Sequence, residues 1–150
     1  MKIVEAELNR LDELSVMFDA YRIFYHRSSD IEGVRNFLHD RIINRQSVIF
    51  LAIEEHQSAV AFAQLYPLFS SINMKPVWLL NDLFVRPQFR NKGISKLLLE
   101  KCKILAAESM AHGVLLETEK TNMVGNHLYP SAGFKLYDQT NFYFYENPNY

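Results

Sequence analysis

The sequence predicts an α+β fold in which helices pack on a mixed sheet. Apolar residues recur every three or four positions in the N-terminal part of the chain, and this period gives way to short apolar runs from Val48 onwards. The later segments read as antiparallel strands followed by strands that alternate with helices. A length of 150 residues, 49% of them hydrophobic and 22% charged, is typical of one globular domain spanning residues 1–150.

Two helices are predicted first. The period of three and four covers about residues 6–26, which predicts an amphipathic helix. Ser28, Ser29 and Asp30 are candidate N-caps for a second helix, because their side-chain oxygens can accept from free backbone amides. The apolar face of that helix covers residues 31–42.

Three antiparallel strands are predicted next. Val48–Ile53 is a short apolar run, and residues 54–58 form the turn to a second strand, Ala59–Phe69. A third strand runs over residues 76–85, and Pro87 ends it because proline has no amide hydrogen for a ladder.

The second half of the chain alternates helices and strands. Gly113 is predicted as the C′ residue of the long helix there. The predicted segments are a helix over 93–111, a strand over 114–118, a short helix over 123–132, and a closing hairpin of Phe134–Tyr137 and Phe142–Tyr145.

Composition argues against several classes of protein. The 16 basic residues balance 17 acidic ones, whereas nucleic-acid binders are usually strongly basic, so we expect no nucleic-acid partner. Cys102 is the single cysteine, which excludes an internal disulfide, and the five histidines show no paired ligand spacing, so we expect no metal. The N-terminus has no apolar signal core and the longest apolar run is too short for a membrane span. We therefore expect a cytoplasmic protein without membrane contact.

The segment that points to chemistry runs from the third strand into the long helix. Four basic residues and no acidic residue occur between Leu83 and Leu99. The first amides of a helix have no partner within it, so together with the helix dipole they form a site for a phosphate or pyrophosphate group. Gly93 would let the backbone approach such a group closely. A solvated basic turn is the alternative interpretation of this segment alone.

Two motifs resemble the GNAT superfamily of N-acetyltransferases. The first is Val85-Arg86-Pro87-x-x-Arg90-x-x-Gly93-x-Ser95, which resembles the acetyl-CoA motif of that family. The second is Asn122-x-x-Gly125-x-x-Leu128-Tyr129-x-x-x-Gly133-Phe134, which follows at the usual distance. The resemblance implies a mixed, mostly antiparallel sheet of six to seven strands, about four flanking helices, and a central cleft where a bulged strand splays from the next.

The resemblance also implies a donor site for acetyl-CoA. The backbone of Leu83, Phe84 and Val85 would bind the pantetheine arm, and Asn122 would contact the cofactor near it. Tyr129 would lie near the sulfur and act as general acid on the leaving thiolate, although Pro130 stands where the family often has Glu. The pyrophosphate would be held by the backbone amides of Arg90, Asn91, Lys92, Gly93, Ile94, Ser95 and Lys96.

Transfer of an acetyl group to a primary amine requires loss of a proton, because an alkylammonium has a pKa of about 10.4 and its neutral form costs about 4.6 kcal/mol at pH 7. Asp82 is the main candidate for relaying that proton or binding the cation, and Asn81 beside it cannot titrate. The alternative is that Asp82 pairs with Arg86 or a backbone amide. Glu117 is a second acidic candidate on the strand beside the cleft, or a solvent-facing residue at its end.

The acceptor site is the least defined part of the prediction. The resemblance implies that the first two helices form one of its walls, where Tyr21, Phe24 and Tyr25 either hold an amine by cation–π contact or pack on the sheet. Phe142–Tyr145 is interpreted as a buried strand, a pocket wall or the edge of a homodimer. The hypothesis is an acetyl-CoA-dependent N-acetyltransferase of a small or peptide amine. The alternative is a catalytically silent acyl-CoA-binding module of the same fold.

Overall fold

The centre of the structure is a five-stranded sheet, seen in a computed structural model that describes residues 1–150. The chain divides into two compact units, residues 1–117 and residues 118–150. The elements are β1 (Lys2–Glu5), α1 (Leu11–Phe24), α2 (Ile31–Ile43), β2 (Val48–Ile53), β3 (Ala59–Ser70), β4 (Lys75–Val85), α3 (Ile94–Glu108), β5 (Val114–Leu115) and α4 (Met123–Ser131), with single 3-10 turns at Leu8–Arg10 and Pro87–Phe89. No helix is long and apolar enough to cross a membrane.

The five strands follow one another across the sheet in chain order. The first three pairings are antiparallel, and β4 pairs with β5 in parallel. The antiparallel α+β prediction is therefore confirmed. The strand β1 was not predicted, because four residues with a charged residue at each end give too short an apolar pattern.

Helices cover both faces of this sheet. On one face, apolar residues of α1 and α2 pack on alternate residues of β2 and on Phe62 and Phe84. On the other face lies Phe50, whose ring is 5.6 Å from the Lys101 ammonium of α3. The buried residues of α3 recur at helical spacing, and Cys102 among them has no exposed surface. Each Å² of apolar surface buried in these two layers stabilises the fold by about 25 cal/mol.

Two local features set the start and direction of α2. The Asp30 carboxylate accepts a hydrogen bond from the Gly33 amide at 2.9 Å, so Asp30 is the N-cap among the three candidates. Its neighbour Ser29 instead donates to Asp19 at 2.6 Å. A side chain on Gly33 would stand 2.2 Å from the Asp30 carboxylate, and this explains why a glycine occupies the first turn.

Three expectations for the C-terminal half are corrected by the structure. The sheet has five strands rather than six to seven, because residues 134–137 and 142–145 form no closing hairpin. The strand predicted over 114–118 contains only Val114 and Leu115. The long helix ends at Glu108, and Met110, with φ of 53°, takes the left-handed position predicted for Gly113.

The second unit is built around α4. Asn122 is its N-cap and accepts from the Gly125 amide at 3.0 Å. Gly133 follows the helix with φ of 89°, and the Phe134 amide donates to the Tyr129 carbonyl at 3.0 Å. This is the usual glycine-based helix end. Pro130 lies in the last turn and leaves the helix continuous to Ser131, so it does not displace Tyr129 from the helix.

Candidate active site

The free edge of β4 is the first component of the site. Parallel pairing with β5 covers only Trp78 and Leu79. The Arg86 amide donates to the Val60 carbonyl on β3 at 2.9 Å, and antiparallel alternation then turns the backbone groups of Leu83 and Val85 away from β3. The pairing geometry thus leaves an unpaired strand edge beyond Leu79.

A bulge in β4 precedes this edge. Gln64 on β3 pairs with Asp82 and the next residue, Leu65, pairs with Leu80, so Asn81 has no partner across the ladder. A bulge bends the strand and increases its twist. The resemblance implied a cleft where a bulged strand splays from the next, and the bulge in β4 and the short β4–β5 pairing are the features that would produce it.

The N-terminus of α3 is the second component. Gly93 is its N-cap residue with φ of 76°, and no side chain caps the helix or places an acid in its first turn. Asn91 also has a left-handed φ of 60°, so the loop turns sharply before the helix. The amides of Ile94, Ser95 and Lys96 have no hydrogen-bond partner within the protein and are available to a ligand.

These features fit the two polar parts of coenzyme A. The unpaired backbone groups of Leu83 and the Val85 amide match the amides of a pantetheine arm, and the uncapped amides of α3 match a diphosphate. Arg86, at the start of the loop, has a buried Nε–H without an acceptor, which a diphosphate oxygen would satisfy. No group of three or more His, Cys, Asp or Glu side chains is arranged to hold a metal ion.

Arg90 connects this loop to the strand edge. Its Nε donates to the Val85 carbonyl at 3.0 Å. The guanidinium carbon lies 5.2 Å from the Phe24 ring centre and 5.8 Å from that of Phe84. Phe24, which is 56% exposed, therefore already has a cation of the protein on its ring.

Asp82 is buried on the α1–α2 face of the sheet, with an exposed fraction of 5%. Its carboxylate accepts from Gln64 Nε2 at 2.8 Å and from Asn81 Nδ2 at 3.2 Å. Burial raises the pKa of Asp82 above its ordinary value, while hydrogen bonds from Gln64, Asn81 and Tyr21 oppose that rise. The alternative pairing with Arg86 or a backbone amide is not what the structure shows.

The three aromatic residues predicted for the acceptor wall, Tyr21, Phe24 and the C-cap residue Tyr25, have different environments. Tyr21 packs edge-on against Phe62 and Phe84, at 5.6 and 5.9 Å, and hydrogen-bonds Asp82. Tyr25 packs edge-on against Tyr21 at 5.1 Å. Packing on the sheet is thus the main role of Tyr21, and its hydroxyl connects the buried carboxyl to the helix.

The remaining predicted residues have other contacts or none. Glu117 is exposed and lies beyond the end of β5 rather than on it. The Asn122 side chain is engaged at both ends, since its Nδ2 donates to Thr118 Oγ1 at 2.8 Å. The Tyr129 ring packs edge-on against Phe134 at 6.0 Å in the same unit. Burial raises the pKa of the Cys102 thiol to about 12, so it is no nucleophile at neutral pH.

Two residues of the site were missed by sequence reasoning. Gln64 has no exposed surface and binds Asp82, and Ser47 Oγ donates to Gln64 Oε1 at 2.9 Å. The signal for Gln64 was present, since a glutamine within the apolar run 59–65 needs a buried partner. Ser47 precedes its strand and carried no such signal.

Comparison with known proteins identifies the family. The acetyltransferase (GNAT) family model matches residues 14–134. An uncharacterized N-acetyltransferase of Bacillus subtilis strain 168, YhfO, is 39% identical over 135 residues, which are 90% of each chain. A probable acetyltransferase of Haemophilus influenzae is 29% identical over 136 residues, 91% of each chain. The chain therefore belongs to the GNAT family of acetyltransferases, and the resemblance carried by its two motifs is confirmed.

Solved structures support the same assignment. The crystal structure of a probable acetyltransferase has a TM-score of 0.94 and 36% identity, covering 98% of both chains. An aminoglycoside N-acetyltransferase, AAC(6')-Iy, solved in complex with CoA, has a TM-score of 0.75 and covers 97% of this chain at 17% identity. This second likeness shows the fold alone. The fold class is confirmed, with five strands and four helices.

Proposed function

We propose that the protein is an N-acetyltransferase that moves an acetyl group directly from acetyl-CoA to a primary amine of a small molecule or peptide. The observation that carries this proposal is the β4 edge, unpaired at Leu83 and at the Val85 amide, which the chain follows with the uncapped N-terminus of α3. Both units would act as one domain over residues 1–150, since the family model extends from one into the other.

The donor site would be formed by backbone groups. Leu83 would exchange hydrogen bonds with the pantetheine arm, and the amides of residues 91–96 would hold the diphosphate. The Arg90 amide, predicted to share in this, instead donates to the Pro87 carbonyl at 3.2 Å. Acetyl-CoA supplies an acetyl group activated as a thioester. A backbone amide near Phe84 would donate to the carbonyl oxygen as negative charge develops on it, as preorganised donors do in acyl transfer. Transfer would be direct, and the buried Cys102 thiol, whose pKa is raised to about 12, would not serve as a nucleophile.

Asp82 would receive the proton of the acceptor ammonium. Its carboxyl is only 5% exposed, whereas Tyr21, hydrogen-bonded to it, is half-buried. The Tyr21 hydroxyl would pass its proton to Asp82 while taking one from the ammonium, which leaves the lone pair on the amine nitrogen. A raised pKa suits this role, because a base works best when its pKa approaches the working pH.

Tyr129 would donate a proton to the leaving thiolate, and Asn122 would add a cofactor contact to its capping role. The motif residues of the second unit support this assignment, since α4 holds Tyr129 about two turns after the Asn122 cap and one turn before the Gly133 end. We further propose a cytoplasmic location, because a chain with one free cysteine and no disulfide fits a reducing compartment. Glu117 is exposed and lies beyond the end of β5, so we propose only that its carboxylate adds negative charge on the acceptor side.

The experiment that tests the proposal is acetyl-CoA turnover against a panel of primary amines, followed by release of free thiol. We expect amine-dependent thiol release, and Tyr129→Phe to lower kcat more than tenfold with CoA affinity unchanged. Tyr137→Phe, an exposed tyrosine of the same unit, is the matched control. CoA binding without thiol release on every acceptor would instead support the silent acyl-CoA-binding module.

We also propose that the protein forms a homodimer through its C-terminal aromatic segment, Phe142–Tyr145. These four side chains are 80–85% exposed. Aromatic residues bury about 150–250 Å² each, so four of them approach the roughly 800 Å² per partner of a standard interface. Sedimentation should give twice the chain mass of 17.6 kDa at micromolar concentration, and Phe142→Ser with Phe144→Ser should give the monomer. A monomeric wild-type protein would refute the dimer.

A further inference from the structure

The buried carboxyl of Asp82 belongs to a chain of three side chains on the α1–α2 face. Ser47 Oγ donates to Gln64 Oε1 at 2.9 Å, and Gln64 Nε2 donates to Asp82 Oδ2 at 2.8 Å. Gln64 has no exposed surface and Asp82 is 5% exposed, so neither can exchange these bonds for water. In this orientation the Gln64 amide donates a hydrogen bond, which is what an ionised carboxylate needs.

A buried carboxyl that gains a proton changes its hydrogen-bonding needs. The ionised group only accepts hydrogen bonds, whereas the protonated group also needs an acceptor for its O–H. A rotation of the Gln64 amide by about half a turn would present Oε1 to that O–H and Nε2 to Ser47. A serine hydroxyl serves both arrangements, because it is a donor and an acceptor.

We propose that Gln64 is a positioning residue that satisfies both protonation states of Asp82 by turning its amide, with the Ser47 hydroxyl reversing its own hydrogen bond each time. When the proton arrives, an O–H bond forms on Asp82 and the carboxylate loses its charge. The Gln64 oxygen then accepts from the new O–H, and Ser47 accepts from the Gln64 amide. Neither Gln64 nor Asp82 then has an unpaired side-chain oxygen or nitrogen in either state. The inference rests on the proposed role of Asp82 as the proton acceptor.

Few other groups compete for this proton. From α1, the Tyr21 hydroxyl reaches Asp82. From β3, Tyr66 has its pKa raised to about 12 by burial and by the charge of Asp82, so its phenol stays protonated. From α2, the Arg41 charge acts on Tyr66. Asn81 donates to the second carboxylate oxygen, Oδ1, and does not titrate. Gln64 is therefore the only amide that faces Oδ2.

The test on the unaltered protein is an NMR titration. The ¹³C signal of the Asp82 carboxyl reports its protonation, and the ¹⁵N and ¹H signals of the Gln64 side-chain amide report its orientation. We expect both sets of signals to move with one common midpoint. Gln64 amide signals that stay constant while Asp82 titrates would overturn the inference.

Two variants separate the roles of Gln64 and Ser47. Gln64→Met keeps the volume and removes the donor to the carboxylate, and it should raise the Asp82 pKa by about one unit, since a hydrogen bond to a charged group is the stronger one. Ser47→Ala removes one neutral hydrogen bond from both the ionised and the protonated state, so it should shift the Asp82 pKa by less than about half a unit. A Ser47→Ala shift equal to that of Gln64→Met would mean that Ser47 locks one orientation, and would overturn the inference.

The activity measurement uses the same variants. The acid limb of the kcat/KM profile should move upwards in pH in Gln64→Met by the amount that the Asp82 signal moves, with the KM for acetyl-CoA unchanged. A pH profile that stays in place although the Asp82 pKa has shifted would show that Asp82 is not the proton acceptor. That outcome would contradict the proposed function but not the NMR result. Gln64 amide signals that stay constant in an active enzyme would contradict the proposed turning of the Gln64 amide and would leave the proposed function intact.

Discussion

The guanidinium carbon of Arg90 lies 5.2 Å from the centre of the Phe24 ring, so the last residue of α1 is in contact with the loop that precedes α3. The same guanidinium reaches the Val85 carbonyl at the free edge of β4. One side chain thus connects the expected acceptor wall to both parts of the expected donor site. Phe24, predicted to hold the amine, is part of that connection.

Replacing Phe24 should therefore affect the donor rather than the acceptor. A partly exposed cation–π contact contributes about 0.5–1 kcal/mol, so Phe24→Leu should weaken CoA binding about two- to fivefold. Titration calorimetry with CoA measures this, and Ile23→Ala, at a half-exposed neighbour on the same helix, should leave the affinity unchanged. A rise in KM for the amine alone would return Phe24 to the acceptor site.

Gly93 should be intolerant of a side chain because of its backbone, not because of space. An added Cβ meets no atom within 4 Å, but the φ of 76° costs a non-glycine residue about 1–2 kcal/mol. Gly93→Ala should lower the midpoint of thermal unfolding by about 2–8 °C and weaken CoA binding at least about fivefold as the loop relaxes. Gly113→Ala is the matched control, since Gly113 has equal space and no left-handed φ. Equal effects in the two variants would contradict the assignment.

The titration of the Asp82 carboxyl should be visible in the pH dependence of the free energy of unfolding. Its folded pKa is raised above the ordinary 3.8, so the folded protein holds the proton more tightly than the unfolded chain. The resulting stabilisation is present below about 3.8 and is lost as pH rises through the folded pKa. Asp82→Asn should remove that slope from the free energy of unfolding, measured by denaturant at successive pH values.

The same substitution should change catalysis. Asp82→Asn should lower kcat/KM and abolish the acid limb of its pH profile. Asp12→Asn, at an exposed carboxylate, should alter neither the stability slope nor the profile. An unchanged profile in Asp82→Asn would make the residue structural.

Asp19 should have the opposite effect on the pH dependence of stability, because its folded pKa is lowered rather than raised. The Asp30 amide and the Ser29 hydroxyl donate to its buried carboxylate at 2.9 and 2.6 Å and hold its pKa below the ordinary 3.8. Its stabilisation is present above that value and is lost as pH falls through the folded pKa. Asp19→Asn should destabilise the protein by about 1–3 kcal/mol at pH 7. Asp40→Asn, at an exposed carboxylate, should change the free energy of unfolding little, and an equal loss there would argue against this role.

Local pattern predicted the elements that have a strong period. The bounds of β2 agree with the apolar run Val48–Ile53, and α2 begins directly after its predicted cap, Asp30. The N-terminal strand was missed because its four residues gain their strand conformation from pairing with β2. Tertiary contact determines such a strand, and no local pattern records it.

The site was predictable to the extent that it is made of backbone. The loop, its glycine and the helix start follow from local sequence, and they lie where the motif indicated. The partners of Asp82 were not predictable, because Gln64 and Tyr21 come from a different strand and a helix more than a dozen residues away. The prediction of a closing hairpin was wrong although its local signal is strong. Its aromatic runs favour strands, but the structure offers that segment no strand partner.

The free edge of β4 has a consequence for aggregation. An exposed strand edge is a template on which another chain can add a strand. Here the bare stretch ends at Val85, the Arg90 side chain already occupies the Val85 carbonyl, and Pro87 cannot donate to a ladder. The edge offers outward-facing groups to the two amides of a slender ligand, and its end at Val85 limits the ladder that a neighbouring polypeptide could form. The residues that end the strand thus protect this edge from pairing with a strand of another molecule while the site is open.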